Sequence, residues 1–280
     1  MRSRLIMLPL VFLFATPLFM VVSGTVHVGQ DWRAVRWDSA GVAPDPAKTP
    51  EAVVQVYAAR AFNWRGIFGV HTWIATKSPH APHFTVHQVI GWRTFHGLAA
   101  LSSKPGIPDR YWGGNPPEII AELRGPKAAA AIGKIRHAVE TYPYARVYHV
   151  WPGPNSNTFT AYVARHVPEL RLNLPVTAIG KDFPTPGTLV EQAPSGTGYQ
   201  LSIYGLAGLL IAKMEGMELN LLGLSVGIDL HGPALKIPFI GRLGFESKPM
   251  VGAVSLPPST AHAAEWRGAH PLATESTGIL

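Results

Sequence analysis

The run Trp151-Pro-Gly-Pro-Asn-Ser-Asn-Thr-Phe159 constrains the fold most, because it must end one element and start another within a few residues. Pro152, Gly153 and Pro154 stop any preceding strand, since proline has no amide donor to give to a ladder. Asn155, Ser156, Asn157 and Thr158 are the residue types that cap helices. Phe159, Val163 and Val167 follow at i, i+4 and i+8, so the pattern predicts a helix over 159–167. A side chain at its start sits among unpaired backbone N–H groups, at the positive end of the dipole, where a developing anion is favoured. Two readings of Ser156 stand: a nucleophile, or a plain N-cap.

A hydroxyl is a weak nucleophile until a base takes its proton, so the first reading needs an imidazole nearby. The β-branched and aromatic runs Gly66–Ala75 and Phe84–Trp92 read as paired strands, and His71 sits on the first of them. On the second, His83 and His87 share one parity and Gln88 has the other, so either histidine is a candidate to orient His71. Ser156 would attack, His71 would act as base, and backbone N–H groups at the helix start would hold the oxyanion. Asn155, Asn157, Trp73, Trp151 and Asp182 are the candidate substrate-binding residues around that point. The bland alternatives are a hydrogen-bonded strand histidine, a turn-forming aspartate and core tryptophans.

Other constellations are weaker. Gly223-Leu-Ser225-Val-Gly227 matches G-x-S-x-G, a motif that works only where a strand turns sharply into a helix. Here the next residues, Ile228-Asp-Leu-His231, alternate like a strand, although His262 and His270 lie downstream. His80, His83 and His87 are spaced like metal ligands but lack an evident carboxylate partner, so no metal and no cofactor is expected. Asp109 reads as a turn residue bonded to Arg110 or to local backbone. The absence of cysteine excludes a thiol nucleophile and Cys-ligated metals. A net charge of +7 is scattered with no basic stripe, which argues against a nucleic-acid module.

Along the chain, Leu5 to Val22 is uncharged behind Arg2 and Arg4, which predicts a membrane anchor or a signal segment over 1–24, the anchor being favoured although Val22-Ser23-Gly24 would suit cleavage, with a cytoplasmic N-terminus and an exported main domain. A Pro/Ala/Asp linker occupies 25–50. Residues 51–190 read as an α+β domain, a small antiparallel sheet packed on helices. Its helices are expected over Glu51–Ala61, Pro116–Leu123 and Pro126–Tyr142, with a short strand over Arg146–Val150. A glycine-rich β section covers 191–250, in which Tyr199–Met214 is a strand pair or a helix, and a disordered tail covers 251–280.

The strand His-Thr-Trp-Ile, followed far downstream by Asn-Ser-Asn-Thr-Phe at a helix start, resembles the circularly permuted papain-like group. That group includes permuted NlpC-type peptidases, lecithin–retinol acyltransferase-like enzymes and PPPDE peptidases. The likeness places His71 on the family histidine, Ser156 on the family cysteine and His83 on the second histidine of the acyltransferase-like members. It implies an amide or ester hydrolase or an acyltransferase acting on cell-wall peptide or lipid. Serine in place of cysteine implies either a hydroxyl variant or a dead site kept for binding a peptide, glycan or partner. The stretches WRGIFGVHTWIA, WPGPNSNTF, AIGKDF and PFIGRLGF also resemble an uncharacterised family of bacterial inner-membrane proteins over most of residues 50–250. That second likeness implies a tethered envelope protein partnered with the inner membrane, without an activity.

Overall fold

The computed structural model describes residues 15–230 and 232–245. Among the described residues the fold is largely β: two antiparallel sheets, of five and seven strands, with few helices. This corrects the expected α+β class with a small sheet packed on helices. The first sheet has the order β4-β3-β2-β1-β5. Its strands are β1 (Val53–Arg60), β2 (Val70–Lys77), β3 (Thr85–Val89), β4 (Leu101–Pro105) and β5 (Glu118–Arg124). Strand β1 replaces the helix expected over Glu51–Ala61. Val53, Val54, Val56 and Tyr57 are all fully buried there, because β1 lies between β2 and β5 with both faces covered. Burial on both faces removes the alternation that marks a strand, and the apolar run then mimics a helical face. Strand β5 likewise replaces the helix expected over Pro116–Leu123, and no strand forms at Arg146–Val150.

Two longer helices pack on one face of this sheet: α1 (Gly125–Glu140) and α2 (Ser156–His166). Pro126 opens α1 at a position where a missing N–H costs nothing. Ala128, Ala131, Ile135 and Ala138 of α1 meet Phe159 and Val163 of α2 and Val54, Val56 and Ile74 of the sheet in one core. The opposite face carries a second core of Tyr57, Trp73, Phe84, Val86 and Trp112.

The second sheet is a plain meander, β6 (Val190–Gln192), β7 (Gly198–Ile203), β8 (Ala207–Ala212), β9 (Gly216–Leu221), β10 (Leu224–Asp229), β11 (Ala234–Ile237) and β12 (Gly241–Gly244), each paired with its sequence neighbour. Tyr199–Met214, open to two readings in the sequence, is the β7–β8 hairpin.

The expected membrane helix is also corrected. Among the described residues no helix is long and apolar enough to cross a membrane. Residues 15–22 are helical, and Met20 there is buried against Val26, Ile67 and Phe239. The inner-membrane placement and the cytoplasmic N-terminus, both argued from that anchor, lose their support with it. Residues 1–14, His231, and the tail over 251–280 with His262 and His270 lie outside the described residues.

Candidate functional site

The N-terminus of α2 forms as the Pro-Gly-Pro and Asn cluster requires, with one shift of roles. Asn155, not Ser156, is the N-cap: its Oδ1 accepts from the Asn157 N–H at 2.9 Å and the Thr158 N–H at 3.3 Å. The Thr158 hydroxyl oxygen in turn accepts from the Asn155 N–H at 3.1 Å, which completes a capping box. The remaining Asn155 donors reach Val150 O and Ile179 O, and Asn157 Nδ2 donates to Val70 O and Ile179 O. Gly180 allows this contact. At φ +93 it carries no Cβ, and one built there would collide with the Asn155 amide. Asn155 and Asn157 therefore tie α2 to β2 and to the loop ahead of Asp182, and their amides are committed to the fold. Ser156 occupies the first helical position, buried.

His71 is not beside Ser156. In β2 the neighbouring Thr72 faces α2, its Oγ1 lying 2.9 Å from both Asn157 Oδ1 and Thr160 Oγ1. Successive strand side chains point to opposite faces, so His71 projects to the far side of the sheet. There it is stacked on Trp112 at a ring separation of 3.6 Å and donates from Nε2 to Gln88 Oε1 at 3.3 Å. Burial is the main cause that lowers its pKa to about 3. Trp73 shares that face, fully buried, and its indole N–H donates to Pro108 O. The parity read from the sequence holds for Gln88 and His87, but it is Gln88 that shares the face of His71.

His87 lies on the α2 side, held between Thr76 Oγ1 at 3.0 Å and Ser103 Oγ at 2.8 Å, with its pKa lowered to about 4 by burial. His83 is exposed ahead of β3. Neither orients His71, and the expected Ser–His pair is not assembled. Trp151 is half-exposed, with its indole N–H on Leu222 O at 2.9 Å. No group of three or more His, Asp or Glu residues among the described residues is placed to hold a metal ion. Asp109 is buried and accepts from Ser39 Oγ and from the Val42 and Ala43 amides, rather than from Arg110.

Asp182 belongs to a buried charge network that the motifs did not reveal. Its Oδ1 accepts from Lys181 Nζ at 3.1 Å, and its Oδ2 from Asn220 Nδ2 at 2.8 Å and Ser225 Oγ at 3.2 Å. Glu218 bridges Lys181 at 2.6 Å and Lys236 at 2.5 Å. Burial alone raises the Asp182 pKa, but the Lys181 ammonium and these donors outweigh it and hold the pKa below its ordinary value. Burial lowers Lys181, and the Asp182 and Glu218 carboxylates reverse that and raise it. Ser225, the central residue of the G-x-S-x-G match, is thus a strand serine bonded to Asp182, and Gly223 sits in the β9–β10 turn at φ +77.

This network fills the inner face of the second sheet, so the outer face holds the apolar residues. One cross-strand row runs Tyr199, Ile211, Met217, Ile228, Leu235, Leu243 from β7 to β12, and a second runs Leu201, Leu209, Leu219, Val226. All ten side chains are exposed, from 40% at Ile228 to 65% at Tyr199. The signal was present as period-two alternation in Tyr-Gln-Leu-Ser-Ile (199–203) and Met-Glu-Leu-Asn-Leu (217–221).

A search of curated proteins and a search of solved structures each gave no match. The comparisons therefore do not confirm the permuted papain-like likeness or a bacterial inner-membrane origin. The likeness to an uncharacterised family does hold over part of the chain, up to the residue after Asp182 and short of the seven-stranded sheet. A domain matching the family described as Protein of unknown function (DUF3750) covers residues 51–183.

Proposed function

We propose that this protein is a non-catalytic binding or scaffold protein whose contact surface is the outer face of the seven-stranded sheet. The observation that carries the reading is the pair of apolar rows. Single exposed aliphatic residues are ordinary on soluble proteins, whereas a contiguous patch across six strands is the mark of an interaction site. An aliphatic, uncharged face suits an apolar partner surface, and its polar groups for a glycan are confined to the Tyr199 hydroxyl and the neighbouring Gln192 amide at the β6 edge.

The non-catalytic half of the reading rests on His71 and Ser156 projecting to opposite sides of one sheet. A general base must come within hydrogen-bond reach of the proton it removes, directly or through one water, and a fully packed sheet layer stands between these two. The alternative, a serine hydrolase or acyltransferase, would need a base other than His71, which lies on the far face of the sheet. Incubating the full chain with a fluorophosphonate probe tests it. No covalent adduct is expected on the wild type. An adduct that disappears in Ser156→Ala would overturn the proposal.

A further inference from the structure

We infer that the apolar sheet face is covered by the same face of a second copy of this chain, the two seven-stranded sheets closing into a sandwich about a twofold axis. The inference rests on the binding reading above and names its partner. Size is the first argument. Four strands of six residues, two of four and one of three, spaced about 4.8 Å apart and rising about 3.3 Å per residue, give a flat face on the order of 550 Å². That approaches the roughly 800 Å² per partner of a standard stable interface, before side-chain relief is added.

Charge is the second argument. A twofold contact sets a surface against itself, so any charge near the axis meets its own sign. Neither apolar row contains a charged residue. The acidic and basic residues of the central strands, Glu218, Asp229 and Lys236, are buried and turned inward. The same distribution argues against a membrane as the occupant. Between Val190 and Gly244 the sequence has three basic residues, Lys213, Lys236 and Arg242, against four acidic ones, although the whole chain carries +7. No cationic rim surrounds the face to draw anionic headgroups. The sheet edges argue that self-contact runs through the face. The end strands β6 and β12 have three and four residues, too short to template edge-to-edge growth.

Sedimentation equilibrium of the full chain tests the inference, with Leu219→Glu at the middle of the central strand β9. Wild type is expected at twice the chain mass at micromolar concentration. Leu219→Glu is expected to weaken association by about a hundredfold or more, because two unpaired carboxylates would be buried at the axis. Phe95→Glu, at a site 87% exposed and away from the sheet, should leave the mass unchanged. Should Leu219→Glu lose its circular dichroism signal, Leu201→Ser is the second probe, expected to weaken the dimer with the fold retained.

Wild type that remains monomeric throughout overturns the inference. So does a monomer that floats with phosphatidylcholine–phosphatidylglycerol vesicles, or a dimer indifferent to both sheet substitutions. Each of those outcomes leaves the non-catalytic reading standing, since that reading fails only on Ser156-dependent labelling.

Discussion

At the scale of single residues, the polar cluster at 155–158 divides its work unevenly, and that division is measurable. Asn155 caps two helix amides and donates to two carbonyls, while Ser156 accepts no cap bond. Asn155→Ala is expected to cost about 2–3 kcal/mol, the loss of a cap plus unpaired buried groups. Ser156→Ala is expected to cost less than about 1 kcal/mol. Urea denaturation of both variants checks the order, and a larger loss for Ser156→Ala would contradict it. The buried imidazoles give a second expectation. An unfolded histidine takes up a proton below about pH 6.5. In the folded chain burial lowers His71 to about 3 and His87 to about 4. Below about pH 6.5 the unfolded state therefore binds more protons, so stability should fall as pH drops from there toward 4. Thermal melts across that window check the sign. A flat profile, or one no flatter in His71→Gln, would tell against a neutral buried His71.

At the scale of elements, the inner face of the second sheet sets ions where a sheet normally puts aliphatics. Glu218 holds two buried ammonium groups at once. Glu218→Leu leaves Lys181 and Lys236 without it and is expected to destabilise by about 3–5 kcal/mol, read from the denaturation midpoint. Gly227 makes room for this bridge: it pairs with Glu218 on β9 and Lys236 on β11, and a Cβ there would lie 2.9 Å from Glu218 Cγ and collide with Met217 O. Gly227→Ala should therefore cost about 1–3 kcal/mol, as overpacking does. A neutral effect would mean that the ladder is looser than these distances imply.

The sequence made part of this legible. Strands β2 and β3, helix α1 and the start of α2 follow from periodicity, proline placement and caps. Strand β1 did not, because burial on both faces erased its alternation. The network did not either: alternation tells which residues share a face, and only tertiary contacts with Lys181 and Asp182 decide which face turns inward. Similarly, His71 and Ser156 are each placed on their expected elements, but a strand and a helix start fix position without fixing side. The parity of Thr72 settled that.

At the scale of the whole molecule, one sheet buries aliphatics on both faces while the other buries its polar face and exposes its aliphatic one. The first arrangement needs no partner, and the second leaves an apolar layer in water at a cost of about 25 cal/mol for each Å² left uncovered. The central claim is that this layer is a contact surface. Hydroxyl-radical footprinting of the full chain, read by mass spectrometry, tests it most directly. Leu209, Leu219 and Met217 are 41%, 54% and 43% exposed in the isolated chain, close to the 52% of Leu98 outside the sheet. Their oxidation is expected to be suppressed severalfold relative to Leu98 and Phe95 at micromolar concentration and to recover on dilution. Oxidation of the sheet residues in step with Leu98 and Phe95 at every concentration would contradict the account.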